Sequence, residues 1–299
     1  MALLNTNFLK SLVAIGVDKK KKFSCLATGF LVGFIAKDSK DPAKRQYWVF
    51  LLTNRHVFEG KKHVDLRFNT KSEKPKIFKQ ELFFPSNDPR WLAHKNKNVD
   101  LALLNVSPAI LEQNSVDYIF LPPEIFAYHR NFPKIGIEIG DAVYVLGFPL
   151  GISGDVQNFA CAKWGMISRT DKEIVRETKA FLIDSAIFPG NSGGPVIYRP
   201  AVAKLGNTIA VGQPYLLGVV SGYLPYEEKL FTHQTTPPSV VSLSRENSGL
   251  SSVVPMDFVR QIFNSWISKK KKLEKAQKSL KAQKNLKEEI PIREVKMSL

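Results

Sequence analysis

Between residues 23 and 268 the chain consists of short apolar runs separated by turn residues, which limits the folds open to it. Such runs, rich in Val, Ile, Leu and Phe and bounded by Gly, Pro, Asn or Asp, are typical of β-strands. Strands are predicted at residues 30–36, 47–53, 63–68, 77–84, 100–106, 142–147, 158–168, 180–186, 195–198 and 216–223. No helices lie between them at the spacing that a parallel sheet requires, so the pattern predicts antiparallel β-units.

A proline-containing stretch at residues 107–134 separates the strands into two groups, and we predict one antiparallel unit on each side of it. The polar insertion at residues 224–247 is predicted to be an exposed loop, since little of it could join a core. A helix is predicted to begin at Pro255 and to carry one apolar face. That face consists of Phe258, Ile262, Phe263 and Trp266.

The formal net charge of +16 is typical of proteins that bind nucleic acid, but much of it lies at the C-terminal end. Residues 269–299 contain 11 Lys or Arg against 4 Glu. Basic tails of this kind are usually solvated appendages, and binding of polyanions is a minority use. We predict that this tail is either helical or disordered.

The segment Phe-Pro-Gly-Asn-Ser-Gly-Gly-Pro-Val at residues 188–196 is the strongest single indication of chemistry. Its glycines, Gly190, Gly193 and Gly194, allow positive φ angles, so successive N–H groups can point into one small concavity. The hydroxyl of Ser192 would then lie beside donors suited to an oxyanion. The alternative for the segment alone is a glycine-rich hairpin that carries a surface serine.

Two further residues at strand ends are candidates for a base and for the group that orients it. His56 follows the strand at residues 47–53, where a rigid scaffold holds a side chain at the edge of a cleft. Asp100 begins an apolar run, which costs free energy unless a donor satisfies the carboxylate. An imidazole N–H would do so and would leave the other ring nitrogen free as a base. Taken singly, His56 could be structural and Asp100 a turn cap.

The order His56, Asp100, Ser192 is one of the chain orders known for a catalytic triad. Around these residues the chain resembles the chymotrypsin-fold serine proteases, in particular the branch with the HtrA/Deg proteins and other bacterial trypsin-like peptidases. Six blocks carry the resemblance, in family order, within about residues 10–268. They are Thr-Gly-Phe at 28–30, Leu-Thr-Asn-Arg-His-Val at 52–57, Asp-Leu-Ala-Leu-Leu at 100–104, Gly-Asp-Ala-Val-Tyr-Val-Leu-Gly-Phe-Pro at 140–149, Gly-Met-Ile-Ser at 165–168 and Asp-Ser-Ala-Ile-Phe-Pro-Gly-Asn-Ser-Gly-Gly-Pro at 184–195.

This resemblance implies an all-β fold: two six-stranded antiparallel β-barrels in a chymotrypsin-like arrangement, followed by a C-terminal helix and a basic tail. It places a trypsin-like serine protease domain at residues 1–268 and the lysine-rich tail at residues 269–299. Within the domain, barrel one is expected at about residues 10–110, barrel two at about 135–255 and the closing helix at 256–268.

The resemblance also implies a serine endopeptidase that works through an acyl-enzyme, with His56 as base, Asp100 as its orienter and Ser192 as nucleophile. The oxyanion hole is expected at Gly190, Asn191 and Ser192, and the peptide at Asn191 is expected to flip between competent and collapsed states. The expected substrate-binding residues are Ala186, Val219, Val220, Ser221 and Gly222. Ala186 is assigned to the base of the primary specificity pocket, and because it carries no acid we expect a small or aliphatic residue before the scissile bond.

The chain departs from the family pattern in several places. The residues after Trp266 leave no room for a PDZ domain, and Val57 follows His56 where secreted animal relatives have a cysteine. The two cysteines, Cys25 and Cys161, match no metal or redox spacing, and the N-terminal residues do not form a secretory signal. We therefore expect a cytoplasmic protein without a membrane span, and neither a metal nor another cofactor.

Two alternatives from other functional classes remain open at this stage. One is a latent or inactive pseudoprotease that binds peptides without cutting them. The other is a protein that binds nucleic acid, another polyanion or a protein partner through the tail at residues 269–299. Because no aromatic residue lies among the lysines of the tail, base stacking is not available there, and such binding would be non-specific.

Overall fold

Seven strands form an antiparallel sheet in the N-terminal half of the protein, in a computed structural model that describes residues 4–19, 22–72, 74–201, 211–232 and 239–288. The strands are β1 (Leu12–Lys19), β2 (Lys22–Lys37), β3 (Gln46–Thr53), β4 (His63–Phe68), β5 (Lys76–Glu81), β6 (Trp91–Ala93) and β7 (Ala102–Val106). Their order in the sheet is β5-β4-β1-β2-β3-β7-β6. Neighbouring strands of the hairpins are therefore also neighbours in space, as antiparallel pairing through short connections requires.

Six further strands close into a barrel in the C-terminal half. They are β8 (Ala142–Gly147), β9 (Cys161–Arg169), β10 (Phe181–Asp184), β11 (Pro195–Tyr198), β12 (Leu216–Thr232) and β13 (Ser239–Pro255). Hydrogen-bonded pairing runs round the barrel in the order β10-β13-β12-β11-β8-β9. The all-β, chymotrypsin-like fold class is thus confirmed. The N-terminal sheet has seven strands instead of the expected six, and no pairing within the described chain joins its edge strands β5 and β6.

Several elements differ from the sequence prediction; β6, for example, lies where no strand is predicted. The pattern does not predict β1, because residues 12–16 are all buried and so lack the alternation that marks a strand with one exposed face. The prediction of a loop at residues 224–247 is wrong for the residues of this segment that the structure describes. There β12 and β13 pair with each other, in a hairpin that runs from Gly218↔Pro255 to Thr232↔Ser239. Strands in such a long hairpin satisfy each other's backbone groups, so they need no apolar core. Residues 233–238 lie outside the described residues.

Helices are few and mostly short. They are α1 (Arg55–Phe58), α2 (Pro108–Gln113), α3 (Phe132–Ile135), α4 (Lys172–Thr178) and α5 (Met256–Glu288), with 3-10 turns at Thr6–Ser11, Pro42–Lys44, Pro123–Ile125, His129–Asn131 and Pro149–Gly151. Helix α5 follows Pro255 but continues past residue 268 to Glu288, and residues 289–299 lie outside the described part. None of the helices described is long and apolar enough to cross a membrane.

A single hydrophobic cluster joins both sheets and helix α5. It contains Phe30 and Phe50 from the N-terminal sheet, Leu146 and Val219 from the barrel, and Val259 from the helix. Burial of apolar surface is the main favourable term in folding, so a shared cluster of this kind fixes the two sheets relative to each other. The cleft between the sheets therefore has a defined shape.

Aromatic side chains attach helix α5 to the N-terminal sheet. The rings of Phe34 and Phe263 stack with their centroids 4.0 Å apart. Trp266 packs edge-on against Trp48 and Phe50, with centroids 5.3 and 5.2 Å away. Aromatic contacts of this kind add to the free energy of area burial. All four residues predicted for the apolar face of the closing helix, Phe258, Ile262, Phe263 and Trp266, pack in or against the hydrophobic cluster, which confirms that prediction.

Replacing Phe263 by Ala removes the stacked ring and should lower the free energy of unfolding by about 3 kcal/mol. Leu273→Ala is the matched control on the same helix, since Leu273 is 63% exposed and its loss should cost less than about 0.5 kcal/mol. Urea denaturation followed by circular dichroism measures both values. Equal stability of the two variants would contradict this anchoring.

Candidate active site

The turn at residues 188–194, here called the serine turn, connects β10 to β11 and carries Ser192. Gly190 and Gly193 have φ angles of +98° and +87°, which side-chain-bearing residues rarely adopt. Space is also lacking: a Cβ on Gly193 would lie 2.0 Å from the Thr28 carbonyl oxygen, and one on Gly190 would lie 2.2 Å from the Phe148 carbonyl oxygen. The glycines at these two positions are therefore required by the turn.

Asn191 shapes the serine turn from inside. Its side chain is fully buried, and its Oδ1 accepts the Phe188 N–H at 3.1 Å. Its own N–H donates to the Phe188 carbonyl at 3.0 Å, so this N–H is not free to bind a ligand. By contrast, no hydrogen bond within the described chain uses the N–H groups of Gly190 and Ser192. Of the three residues predicted for an oxyanion hole, two present free backbone donors.

His56 and Asp100 come together because β3 pairs with β7. Thr53 lies opposite Ala102, so the residues that follow β3 meet those that precede β7. His56 Nδ1 is 2.7 Å from Asp100 Oδ2, and the His56 backbone N–H donates to Asp100 Oδ1 at 3.0 Å. Because a carboxylate only accepts, Nδ1 carries the hydrogen, and Nε2 is left as the basic nitrogen.

A third residue, Asn54, helps to hold the acid in place. Its side-chain amide is buried and donates to the Asp100 carbonyl at 2.8 Å. The carboxylate of Asp100 is 29% exposed and the ring of His56 is 50% exposed. The pair is thus oriented by hydrogen bonds from one side and open to a ligand from the other.

Ser192 and His56 line the same cavity, which has a volume of about 210 Å³ and lies between the serine turn, α1 and strands β1 and β2. The Ser192 hydroxyl donates to the Ser221 carbonyl at 3.4 Å, and among the described residues no hydrogen bond joins it to His56. Long or misdirected hydrogen bonds are common at such sites before a ligand binds. Ser192 and His56 therefore meet at one cavity, with Asp100 bonded to His56, and the Ser192 hydroxyl is directed to the Ser221 carbonyl.

The predicted substrate strand lies on β12, beside the serine turn. Val219 and Val220 are fully buried, so their side chains belong to the core and only their backbone borders the site. The Val220 carbonyl accepts the Gly193 N–H at 2.9 Å. Ser221 and Gly222 are partly exposed. These two residues are the part of the predicted strand that a ligand can reach.

Ala186 is exposed in the segment between β10 and the serine turn. Strand β13 borders this segment: the Ser185 N–H donates to the Gly249 carbonyl at 2.9 Å, and the Asn247 amide donates to the Ile187 carbonyl at 2.6 Å. The segment that carries Ala186 thus runs beside the middle of β13, close to the point where β13 pairs with Gly222 of β12.

Thr28 is a site residue that the sequence analysis quotes without giving it a role. It is fully buried, its N–H donates to the Ser192 carbonyl at 2.9 Å, and its hydroxyl donates to the Gly190 carbonyl at 2.6 Å. A threonine inside a strand gives no local signal of such a contact, because the partner lies far along the chain. The Thr-Gly-Phe block was the only available indication.

Neither cysteine lines the cavity that Ser192 and His56 share. Burial raises the pKa of the Cys25 thiol to about 12, so it stays protonated and unreactive near neutral pH. Both cysteines, Cys25 and Cys161, are free thiols. Within the described residues no group of three or more His, Cys, Asp or Glu side chains has the arrangement of a metal site.

Several solved structures of proteases are similar to this chain. A similar solved structure is the serine endoprotease from Yersinia pestis, at 16% identity and a TM-score of 0.47, covering 88% of this chain and 65% of that one. The HtrA-type protease AlgW with a tripeptide has 17% identity and a TM-score of 0.47, covering 87% and 61%. The MamO protease domain from Magnetospirillum magneticum has 11% identity and a TM-score of 0.45, covering 85% and 96%.

The chain thus spans less than two thirds of the length of the first two of these structures, 65% and 61%. No curated protein matches the sequence significantly. The family model of the trypsin-like peptidase domain matches residues 27–200, which is more than half of the chain and includes His56, Asp100 and Ser192. The protein therefore belongs to the trypsin-like peptidase domain family.

Proposed function

We propose that the protein is a serine endopeptidase in which Ser192 attacks the peptide carbonyl, His56 transfers the proton and Asp100 orients the imidazole. The observation that carries this proposal is the convergence of an oriented His56–Asp100 pair and Ser192 on one cavity. The serine is an alcohol of weak nucleophilicity, so the adjacent base is what makes attack feasible.

The reaction begins with a rotation of the Ser192 hydroxyl from the Ser221 carbonyl toward His56 Nε2. As Oγ bonds to the substrate carbonyl carbon, its proton passes to Nε2, and Asp100 stabilises the imidazolium. The free N–H groups of Gly190 and Ser192 receive the oxyanion. Nε2 then returns the proton to the leaving amine as the C–N bond breaks, and water hydrolyses the acyl-enzyme by the same steps.

An extended substrate pairs with the backbone of Ser221 and Gly222, since main-chain hydrogen bonds suit peptides of varied sequence. The residue before the scissile bond points toward Ala186, which favours small or aliphatic side chains. The residue after it lies on the His56 side, where the walls of the cavity include Leu26 and Val64. Both faces of the scissile bond thus offer apolar surroundings.

A latent or peptide-binding pseudoprotease is the second candidate. The observation that favours it is the hydrogen bond from Ser192 to the Ser221 carbonyl, which keeps the hydroxyl away from the base. A latent enzyme gains activity when a ligand reorients the hydroxyl, whereas a pseudoprotease never reacts. Labelling with a fluorophosphonate, with and without peptides, separates the two.

We propose further that the protein works in the cytoplasm. Free Cys25 and Cys161 are in keeping with a reducing compartment.

We also propose that the basic end of α5 can bind a partner. The exposed lysines at residues 271–275 would give weak polyanion binding that falls steeply with salt. Removal of residues 269–299 should then abolish retention on heparin without changing peptide cleavage, as measured by chromatography and assay.

Ser192→Ala should abolish both fluorophosphonate labelling and peptide cleavage, because among the described residues no other hydroxyl or thiol lines the cavity. Gel fluorescence after labelling and mass spectrometry of the modified peptide measure the result. Ser86→Ala, which removes an exposed hydroxyl bonded to Asp88, is the control and should label like the wild type. Labelling that persists in Ser192→Ala would refute the assignment of the nucleophile.

Asp100→Asn should lower kcat by about 10,000-fold, because an amide no longer fixes the tautomer that leaves Nε2 basic. Steady-state kinetics on a peptide substrate measure the change. Asp117→Asn provides a matched control, since within the described chain this carboxylate pairs with Lys10 alone, on the surface, at 2.9 Å. A loss of less than tenfold in Asp100→Asn would contradict the role of Asp100.

Ala186→Asp should move the preference before the scissile bond toward Lys and Arg. A carboxylate that pairs with a substrate cation should raise kcat/KM for a lysyl peptide, relative to a valyl peptide, by about tenfold to a hundredfold. Ala43→Asp adds the same charge on a remote exposed turn and should leave the ratio unchanged. An unchanged ratio in Ala186→Asp would remove Ala186 from the specificity pocket.

A further inference from the structure

The orientation of one proposed oxyanion donor depends on a residue outside the serine turn. The Leu150 N–H donates to the Pro189 carbonyl at 2.7 Å. In a planar trans peptide the C=O and the following N–H point in opposite directions. As long as Leu150 holds the Pro189 oxygen on one side, the Gly190 N–H must point to the other, where it is free. A flip of this peptide would turn the carbonyl into the place of the donor.

Leu150 itself occupies an unfavourable backbone conformation. Its φ and ψ angles are 55° and 21°, in the left-handed region that non-glycine residues rarely adopt. Its side chain is 65% exposed, so packing of that side chain does not hold the conformation. Such strain persists only where the surrounding structure imposes it. Something else must therefore keep residue 150 in place.

Residues 149–158, here called the bridging loop, are held on strand β4 of the other sheet by Arg67. The guanidinium is 3% exposed and donates to the Gly154 carbonyl at 2.7 Å and to the Asp155 carbonyl at 2.6 Å. It also donates to Ser153 Oγ at 3.4 Å. A planar guanidinium can bind several acceptors in fixed directions, which an ammonium cannot.

Asn158 completes the attachment at the end of the bridging loop. Its N–H donates to Asn69 Oδ1 at 2.6 Å, and its carbonyl accepts the Asn69 amide at 3.1 Å. Its own side-chain amide is buried and donates to the Arg67 carbonyl at 2.7 Å. The bridging loop is thus bonded to β4 and the residue after it at one end and to the serine turn at the other.

We propose that Arg67 is a positioning residue for the oxyanion hole. This proposal rests on the proposed function. By holding the bridging loop on the N-terminal sheet, it keeps the Leu150 N–H on the Pro189 carbonyl and so directs the Gly190 N–H to the cleft. No hydrogen bond within the described chain joins Arg67 to Ser192 or His56, and its guanidinium donates hydrogen bonds only to residues of the bridging loop.

Arg67→Ala tests this role, and Asp65→Ala is its matched control. Asp65 lies two residues away on the same face of β4, is 8% exposed and accepts the Asp18 N–H at 2.6 Å without touching the bridging loop. Loss of one oxyanion donor lowers kcat by about a hundredfold or more. We expect that loss in Arg67→Ala, with KM nearly unchanged, and kcat close to wild type in Asp65→Ala.

Amide hydrogen exchange gives a readout that does not need activity. Peptides that cover residues 149–158 and 188–194 should exchange faster in Arg67→Ala and at the wild-type rate in Asp65→Ala. Arg67→Lys should restore part of kcat, because an ammonium can still reach one of the carbonyls. Asn69→Ala weakens the same attachment and serves as the second variant if Arg67→Ala fails to fold.

The results separate this inference from the proposed function. A folded Arg67→Ala with wild-type kcat and wild-type exchange overturns the role of Arg67 and leaves the protease assignment intact. If Arg67→Ala does not fold, wild-type exchange in Asn69→Ala overturns it. If the wild type neither cleaves nor labels while Ser192→Ala behaves identically, the proposed function fails, and the exchange rates still decide whether Arg67 holds the serine turn.

Discussion

The serine turn belongs to the C-terminal barrel, yet the backbone of the N-terminal sheet holds it in position. Thr28 supplies both an N–H for the Ser192 carbonyl and a hydroxyl for the Gly190 carbonyl. The contact is possible because Gly193 lacks a Cβ, which would lie 2.0 Å from the Thr28 carbonyl oxygen. His56 lies in helix α1, directly after strand β3 of the sheet that contains Thr28. The nucleophile and the base come from different halves of the chain, and the hydrogen bonds between Thr28 and the serine turn therefore fix their relative position.

The base, the nucleophile and the backbone donors of the site differ in how firmly the protein holds them. His56 makes two hydrogen bonds to the Asp100 carboxylate, one from its ring and one from its backbone, so its position leaves little freedom. The Ser192 hydroxyl has a single long hydrogen bond to the Ser221 carbonyl at 3.4 Å. The Ser192 hydroxyl is thus held less firmly than the His56 imidazole. The backbone donors, in contrast, depend on contacts that cross from one sheet to the other.

Local patterns predicted most of the strands and the three central residues. Strands such as β3 and β8 are recognisable because their apolar residues lie between turn residues, and His56, Asp100 and Ser192 lie at strand ends in a known order. Strand β1 gives no such pattern because it is buried on both faces, and the 224–247 insertion has the composition of an exposed loop although its described residues pair as a hairpin. Strand β1 pairs with β4, which is remote in the chain, and the pairing of β12 with β13 adds no periodicity to the sequence.

The chain's composition and motifs were sufficient to establish an antiparallel β-protein with a serine, a histidine and an aspartate in triad order, since strand propensity and turn chemistry are properties of neighbouring residues. Which side chains touch was a matter for the folded molecule. In the sequence, Arg67 resembles an ordinary strand residue and Leu150 an ordinary loop residue. Their roles become apparent only in the folded protein, where Arg67 donates hydrogen bonds to the bridging loop from the other sheet. The Ser192 hydroxyl takes its direction from Ser221, and the serine turn that carries it is held by hydrogen bonds to Thr28, which lies more than a hundred residues away in the chain. Such contacts form only when hydrophobic burial brings the two sheets together, and no local pattern records them.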